Sequence, residues 1–194
     1  MTLVYRVFYR LGLTPWEQDA SPEPLAELVA TQPPGRAFDI GCGTGRDALF
    51  CARRGWQATG IDDVPLALKR ARAAAVAAGA PVTFVRADVT RPLPAEVGAD
   101  YDLLIDMGCL HNLAPAARPG AGAALTAVAK GGAMLLMMAF ATGGPKPGPH
   151  GMDASDVKAM FPDWDVVTSR PALDIELKGR MAAAEPHYHQ LVRR

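Results

Sequence analysis

Three side chains that could act as an acid, a base or a nucleophile lie close together in the stretch YDLLIDMGCLHNL, residues 101–113. Asp106 ends an apolar run, and Cys109 and His111 follow it. A thiol beside an imidazole could form a nucleophile with its base. The same pattern could instead form the mouth of a small-molecule pocket at the end of a buried strand. The elements that position these side chains discriminate between the two interpretations.

Strands and helices alternate along most of the chain. Five strands are predicted at RAFDI, WQATGID, VTFVRAD, YDLLID and AMLLMMAF. The helices predicted between them are GRDALFCARRG, PLALKRARAAAVAAG and most of residues 111–130, where Pro115 and Pro119 disturb the start. Further helices are predicted at residues 3–12, PLAELVA and DASDVKAMF, and closing strands at WDVVTSRPAL and HYHQLVRR. This alternation is typical of a doubly wound, mostly parallel α/β sheet, where ligands bind beyond the carboxyl ends of the strands.

Length and charge narrow the function classes. The chain has 194 residues and a formal net charge of zero, which favours one domain and argues against a nucleic-acid surface. No apolar run approaches the roughly 20 residues that cross a bilayer, and the start lacks a signal-peptide pattern. We therefore expect a cytoplasmic protein without a membrane partner, as a monomer or homodimer. We expect one domain made of a helical cap at 1–35, a core at 36–140, and a loop with a closing hairpin at 141–194.

Three successive strand-to-helix junctions carry residues suited to a nucleoside cofactor. A GxGxG turn, formed by Gly41, Gly43 and Gly45, follows the first strand and allows a ligand to approach the backbone. Asp62 ends the second strand, where a carboxylate can accept hydrogen bonds from a ribose. Asp88 ends the third and could accept from an adenine amino group. Each also has an ordinary structural explanation: a tight turn, a helix N-cap for Asp62 and a solvated loop acid for Asp88.

Taken together, FDIGCGTGRDA, ATGIDDVPLALKRAR, VTFVRADV and YDLLID resemble the ordered motifs of class I S-adenosylmethionine-dependent methyltransferases over residues 36–140. The resemblance implies a seven-stranded Rossmann-like sheet whose last strand is antiparallel, with the closing segments as the hairpin. It implies S-adenosylmethionine as cofactor, with Asp39 and the glycine turn at its amino-acid end. Asp62 would bind the ribose, and Asp88 with Val89 the adenine. Further residues implied to bind the cofactor are Cys42, Arg46, Asp63, Asp106 and Met107.

A dinucleotide oxidoreductase is the rival interpretation, since it shares a glycine turn and a ribose acid. Its phosphate fingerprint is GxGxxG, but here Arg46 stands where the third glycine belongs. Asp39 would also repel a pyrophosphate, whereas it suits a cofactor with an ammonium group. A binding module without transfer activity is a further alternative, and cofactor turnover would distinguish it from an enzyme.

The stretch DMGCLHNL resembles that of small-molecule methyltransferases of the thiopurine, thiol and tellurite-resistance-like groups. Trp16 in LTPWE looks like the tryptophan of their N-terminal caps, which can face a sulfonium by cation–π attraction. Asp106 would lie at the boundary between cofactor and acceptor.

His111 is the candidate base, with a packed histidine as the alternative. No covalent step through Cys109 is needed when the cofactor is the electrophile. His187 and His189 lack a third ligand, so no metal is expected. We predict methyl transfer to an S, N or O atom of a small, fairly apolar molecule.

Overall fold

The computed structural model describes residues 2–18, 20–145, 148–175, 177, 181 and 183–194. Within these residues seven strands form one sheet in the order β3-β2-β1-β4-β5-β7-β6. The strands are β1 Arg36–Ile40, β2 Gln57–Asp62, β3 Val82–Arg86, β4 Tyr101–Met107, β5 Ala129–Phe140, β6 Trp164–Pro171 and β7 Pro186–Arg193. The predicted loop and closing hairpin at 141–194 include residues 146, 147, 176, 178–180 and 182, which lie outside the described residues.

The pairing of the strands confirms the predicted fold class. Strands β1 to β5 pair in parallel, while β7 runs antiparallel to both β5 and β6. Asp39 of β1 is opposite Gly60 of β2 and Ile105 of β4, and Asp62 is opposite Arg86 of β3. The carboxyl ends of four adjacent strands therefore meet along one edge, and the residues that follow them converge there.

The helices agree with the sequence except before the fifth one. They are α1 Thr2–Leu11, α2 Glu23–Thr31, α3 Arg46–Ala52, α4 Pro65–Ala78, α5 Arg118–Val128 and α6 Ala154–Met160. Asp153 caps α6, as predicted, and forms a capping box with Asp156. The start of the helix predicted within 111–130 is disturbed, as expected from Pro115 and Pro119, and short 3-10 turns occupy Leu110–Asn112 and Pro115–Ala117. Proline lacks an N–H donor and disfavours a helical residue before it, so α5 begins only at Arg118.

Strand β5 is longer than predicted. It begins at Ala129 rather than Ala133 because Tyr101 pairs with Ala129 while Leu103 pairs with Met134. The extra residues on β5 between these pairs form an irregularity in the β4–β5 ladder. From Met134 onwards the strand is the continuous apolar run that the sequence predicted for the centre of the sheet.

Alternating side chains of the sheet divide the apolar core between its two faces. Phe38, Tyr101 and Leu104 pack on the face covered by α5 and α6, with the Phe38 and Tyr101 rings stacked at 4.8 Å. Leu103 and Ile105 pack on the opposite face with α2, α3 and α4. Each such buried side chain contributes roughly 1.5–3 kcal/mol to folding. The sheet is thus fixed from both faces, and its carboxyl edge is a stable frame for the loops that follow.

The N-terminal helix is held by a smaller cluster. Tyr9 of α1 packs with Val64 and Ala67 at the start of α4. The guanidinium of Arg70 donates to the Tyr9 carbonyl at 3.3 Å and lies 5.8 Å from the Tyr9 ring centre. Helix α1 is therefore attached at the carboxyl edge of the sheet. Among the described residues, none of the helices has both the length and the apolarity needed to cross a bilayer.

Candidate active site

The glycine turn after β1 is tightly enclosed by its neighbours. Gly41 and Gly45 have φ values of 67° and 85°, in the left-handed region that glycine tolerates. A Cβ at Gly41 would lie 2.5 Å from the Cβ of Cys109, and one at Gly45 would lie 2.6 Å from the Phe84 ring. The amide of Cys42 donates to the Ile61 carbonyl at 2.8 Å, which ties the turn to β2. Larger residues at these two glycines would displace the surrounding walls.

Asp39 is a buried carboxylate beneath the start of α3. Its Oδ2 accepts a hydrogen bond from the Ala48 amide at 3.1 Å. Burial, followed by the nearby charge of Asp47, raises the pKa of Asp39 well above its usual range. Arg46 pairs with Asp47 at 2.7 Å. A cationic group bound at this turn would stabilise the ionised form of Asp39, which fits the ammonium of an amino-acid moiety.

Asp62 joins the glycine turn to the next helix. Its Oδ2 accepts from the Gly43 amide at 3.0 Å, and its Oδ1 accepts from the Val64 amide at 2.7 Å. The N-cap interpretation is wrong, because the N-cap of α4 is Val64 and no side chain caps it, so Asp62 instead closes a turn just before the helix. These contacts do not exclude a ribose, because each carboxylate oxygen has two lone pairs. Asp63 faces elsewhere: its carboxylate binds Arg6 at 3.3 Å and Arg86 at 3.1 Å.

Asp88 follows β3 and remains ionised. Its Oδ1 accepts from the Thr90 amide at 2.9 Å and from the Thr90 hydroxyl at 2.7 Å. Partial burial raises the pKa of Asp88, but these hydrogen bonds outweigh it and leave the pKa below its ordinary value. Val89 is buried in the core beside it. The pair offers an acceptor next to an apolar surface, which suits a purine.

Asp106 is fully buried and organises the loop after β4. Its Oδ1 accepts from the amides of Cys109 at 2.8 Å and Leu110 at 3.1 Å. Burial raises the pKa of Asp106 to about 7 despite these hydrogen bonds. Met107 is the last residue of β4 and packs on the core at the α3 side of the sheet. Asp106 thus fixes the backbone on which His111 is carried.

The contacts of His111 favour the packed interpretation over the base. Its Nδ1 accepts from the Phe140 amide at 3.1 Å, and its ring stacks on Phe140 at 4.8 Å. A neutral imidazole whose Nδ1 is an acceptor carries its proton on Nε2, so it has no lone pair left to accept another. Burial, and then the charge of Arg118, lowers the pKa of His111 to about 3.

Cys109 lies at the point where the four strand ends converge. Burial raises the pKa of its thiol well above the usual range, and the charges of four carboxylates raise it further. These carboxylates belong to Asp106, Asp62, Asp39 and Asp88, which follow or end β4, β2, β1 and β3. The predicted convergence is therefore present. A thiol in this acidic setting stays protonated, which argues against a nucleophilic cysteine.

An aromatic roof formed by Tyr5, Phe8, Tyr9 and Trp16 extends over this edge. The Tyr5 hydroxyl donates to Asn112 Oδ1 at 3.0 Å, and the Tyr9 hydroxyl is 2.8 Å from where a Cβ at Gly43 would lie. The Trp16 ring packs edge-on against Tyr5 at 5.0 Å and against Tyr9 at 5.9 Å. The sequence indicated an aromatic cap but not the bridge to Asn112. The spacing of Tyr5 and Tyr9, one helical turn apart, was the available signal.

Arg118 is a buried residue that sequence reasoning missed. Its guanidinium donates to the carbonyls of Gly151 at 2.5 Å and Leu113 at 3.3 Å, and pairs with Asp156 at 3.2 Å. The Gly151 amide in turn donates to the His111 carbonyl at 3.1 Å. Arg118 therefore clamps the loop after β4 to the segment before α6. An isolated arginine between prolines gives no such signal in the sequence.

Other candidate features lie away from this edge. His189 on β7 bonds Ser169 at 3.0 Å, and the described residues contain no cluster of three or more potential metal ligands. A cavity of about 350 Å³ borders Trp56 and the Lys130–Asp102 pair at the amino ends of the strands. It lies at the opposite edge of the sheet from the glycine turn, so it is separate from the residues proposed to bind the cofactor.

Comparisons with known proteins agree with this geometry. Residues 37–132 match the model of a family described as a methyltransferase domain. The chain is 28% identical over 166 residues to 2-heptyl-1-hydroxyquinolin-4(1H)-one methyltransferase of Mycobacteroides abscessus, covering 81% of this chain and 71% of that protein.

Two solved structures share the fold. The 1,6-didemethyltoxoflavin-N1-methyltransferase of Burkholderia thailandensis, solved with 1,6-didemethyltoxoflavin and S-adenosylhomocysteine, has a TM-score of 0.74 and 20% identity over 99% of this chain and 88% of that chain. A structure from work on the conversion of a disulfide bond into a thioacetal group during echinomycin biosynthesis has a TM-score of 0.79 and 24% identity, over 100% of this chain and 93% of that chain.

The sheet order and the family match identify the chain as a class I S-adenosylmethionine-dependent methyltransferase. Within that class it is a methyltransferase of small molecules, with S-adenosylmethionine as its cofactor.

Proposed function

We propose that this enzyme transfers the methyl group of S-adenosylmethionine to an S, N or O atom of a small, fairly apolar acceptor bound between the carboxyl edge of the sheet and the aromatic roof. The observation that carries the proposal is that four adjacent strands each carry a carboxylate at or just after the carboxyl end, beside the glycine turn and beneath the aromatic side chains of α1. The roof is formed mainly of ring surfaces, which suit an apolar acceptor. The relative from M. abscessus, whose name specifies a heptyl-substituted hydroxyquinolone, supports an acceptor of this kind.

The residue roles follow from position. Asp39 would hold the ammonium of the cofactor, Asp62 its ribose, and Asp88 with Val89 its adenine. The turn around the amino-acid end would be formed by Gly41, Cys42, Gly43, Gly45 and Arg46. Asp106 and Met107 would form the floor near the reacting methyl, and Trp16 would close the site from the roof. We assign Asp63 to holding α1 through Arg6, because both of its carboxylate oxygens already bind arginines.

Positioning and water exclusion would supply the catalysis. The bound cofactor supplies an electrophilic methyl group on a sulfonium, and the protein aligns the acceptor with it. His111 carries its proton on Nε2, and burial raises the pKa of Tyr5 to about 12, so both side chains are donors near neutral pH. We therefore assign the acceptor's proton, where there is one, to solvent. Acceptors that ionise easily, such as thiols and acidic heteroaromatic hydroxyls, should react fastest.

The test is turnover with labelled S-adenosylmethionine and a panel of small thiols, acidic hydroxyheteroaromatics, simple phenols and N-heterocycles. We expect demethylated cofactor with one acceptor class, and loss of turnover in Asp39→Asn. Asp165→Asn is the matched control, since Asp165 is exposed and pairs with Arg194 at the end of the chain. Cofactor binding without turnover on any acceptor would favour a binding module, and no binding would refute the proposal.

The assembly and boundaries of the enzyme stay predictions. We propose one domain spanning 1–194, either a monomer or a homodimer, and no nucleic-acid partner. Sedimentation velocity at several concentrations measures the oligomeric state. A gel-shift assay with duplex and single-stranded DNA tests for nucleic-acid binding.

A further inference from the structure

The outward face of α1 and the residues just after it concentrate exposed apolar side chains. Of the ten large hydrophobic residues that are exposed in the described part of the chain, six lie between residues 3 and 16. Their exposed fractions are Leu3 74%, Leu11 64%, Val4 55%, Leu13 54%, Val7 45% and Trp16 37%. Scattered exposed apolar residues are ordinary, whereas a contiguous patch marks an interaction surface.

Helical geometry places the aliphatic residues on one side of α1. At about 100° per residue, positions 3, 4, 7 and 11 fall within roughly 100° of arc. Tyr5 and Tyr9 lie on the opposite side, where they contact Asn112 and the glycine turn. The helix is therefore amphipathic in an unusual sense: its aromatic face is fixed to the enzyme and its aliphatic face points away from it.

The charges beside the aliphatic face are positive. Arg6 and Arg10 adjoin it on the helix, α1 contains no acidic residue, and Arg70 of α4 lies against its C-terminal end. Asp63 pairs with Arg6, and Glu17 accepts from the Thr14 hydroxyl at 2.8 Å. Arg10 is exposed, and Arg70 contacts the carbonyl and the ring of Tyr9, neither of which carries a charge. The two guanidinium charges therefore form a cationic rim beside the aliphatic face.

A second copy of the chain fits this face poorly. A self-complementary pairing of two α1 helices would bring the exposed Arg10 side chains of both copies together, and α1 contains no acidic residue to pair with them. A helix of ten residues is about 15 Å long and 10 Å wide, far smaller than the roughly 800 Å² that each partner of a stable interface buries. A surface that is negatively charged on the outside and apolar beneath would complement both the arginines and the exposed aliphatic side chains of α1.

We propose that the outward face of α1 docks the enzyme on the surface of an anionic lipid bilayer. The helix would lie in the plane of the interface, with Leu3, Val7 and Leu11 among the acyl chains and Arg10 at the headgroups. This proposal replaces the expectation of no membrane partner, which rested on the absence of a spanning run and of a signal-peptide pattern. Docking there would place the roof of the active site beside the bilayer, from which an apolar acceptor could enter.

Vesicle flotation tests the proposal without reference to methyl transfer. Vesicles of phosphatidylcholine alone are compared with vesicles containing 40% phosphatidylglycerol, at low and high salt. We expect the protein to float with the anionic vesicles, and high salt to weaken that binding. Leu3→Asp/Leu11→Asp should lower the bound fraction about tenfold or more, since it removes two apolar contacts and adds two negative charges.

Leu173→Asp is the matched control, because Leu173 is 90% exposed and belongs to the loop after β6. It should leave flotation unchanged, and each variant should bind S-adenosylmethionine as the unaltered protein does. Two results would overturn the proposal. One is equal flotation of the double variant and the control. The other is absence of lipid binding together with a concentration-dependent dimer that the double variant abolishes, which would assign the face to a second copy.

Discussion

At the residue scale, Asp62 makes two structural contacts and has a proposed role in cofactor binding. It accepts from the Gly43 amide of the glycine turn and from the Val64 amide just before α4, and we assign it the ribose. Asp62→Ala should lower the free energy of unfolding by about 1–2 kcal/mol, because the Gly43 and Val64 amides lose their acceptor. It should also weaken S-adenosylmethionine binding about tenfold or more, because a charged acceptor is removed. Denaturant unfolding and calorimetric titration measure the two effects.

Asp153→Ala is the matched control for that substitution. Asp153 likewise accepts from two backbone amides, those of Ser155 and Asp156, but it caps α6 and lies away from the glycine turn. The control should lose similar stability and keep its cofactor affinity. If both variants bind the cofactor equally well, Asp62 has no role at the ribose.

His111 predicts a specific dependence of stability on pH. The pKa of His111 is 6.5 in the unfolded chain and about 3 in the folded protein. Between these values the unfolded state binds the extra proton, so this contribution to stability is complete above pH 6.5 and is lost as the pH falls towards 3. His111→Gln, whose amide can still accept from Phe140, lacks that contribution. The stability of the native protein relative to the variant should therefore fall between pH 7.5 and pH 4.5.

The difference between the two proteins cancels the titration of all shared groups, so urea unfolding at both pH values is a direct measurement. A stability difference that is the same at pH 7.5 and pH 4.5 would show that His111 titrates normally and is free to act as a base. In that case kcat should also show an inflection near pH 6.5.

The location of a site residue could be predicted from the sequence where the residue ends or follows a strand. Asp39, Asp62 and Asp88 end or follow parallel strands, so their convergence follows from the fold alone. The role of His111 was not predictable, because it depends on Phe140, which is 29 residues away. Hydrogen-bond partners at such separation are set by how loops pack, and the sequence contains no period or spacing that reports it.

At the scale of elements, Arg118 couples the loop after β4 to the segment before α6. Arg118→Met should destabilise the protein by about 3 kcal/mol, because the buried carbonyls of Leu113 and Gly151 lose their donor. It should also raise KM for the acceptor, since the backbone that carries His111 is released. Thermal unfolding and steady-state kinetics measure both.

Asp156→Asn separates the clamp from the ion pair. It removes the charge opposite Arg118 and leaves the two carbonyl contacts in place, so a loss below about 1 kcal/mol is expected for this partly exposed pair. Equal losses in the two variants would mean that the ion pair, rather than the clamp, is the stabilising interaction.

The strands and helices also show where local sequence patterns no longer predict the structure. Strands β1 to β4 and helix α4 were predicted to within two residues, since apolar periodicity and the closing Gly79 define them locally. The disturbed start of α5 was expected from Pro115 and Pro119, but the β4–β5 irregularity was missed. Two prolines shift α5 to Arg118, and the pairing of Ala129 with Tyr101 is a long-range contact that no local pattern encodes.

For the whole molecule, the cofactor should bind only the folded protein, because its proposed contacts come from four strand ends that meet only in the sheet. A ligand of this kind at 100 times its Kd stabilises by about 2.7 kcal/mol. In a domain of this size each kcal/mol raises Tm by roughly 2–4 °C, so S-adenosylhomocysteine should raise Tm by about 5–10 °C. NAD at the same concentration should leave Tm unchanged, since Asp39 would repel its pyrophosphate.

Differential scanning fluorimetry with both ligands makes this comparison, and Asp39→Asn makes it specific. The variant should lose most of the shift with S-adenosylhomocysteine while gaining stability of its own, because a neutral amide replaces a buried carboxylate whose ionised form burial disfavours. A shift with NAD, or an undiminished shift in Asp39→Asn, would contradict the assignment of the glycine turn to the amino-acid end of the cofactor.

The aromatic roof should also respond to the ligand, because Tyr5 and Tyr9 contact the sheet edge only while α1 is packed against it. Ligand binding should therefore also slow tryptic cleavage at Arg6 and Arg10.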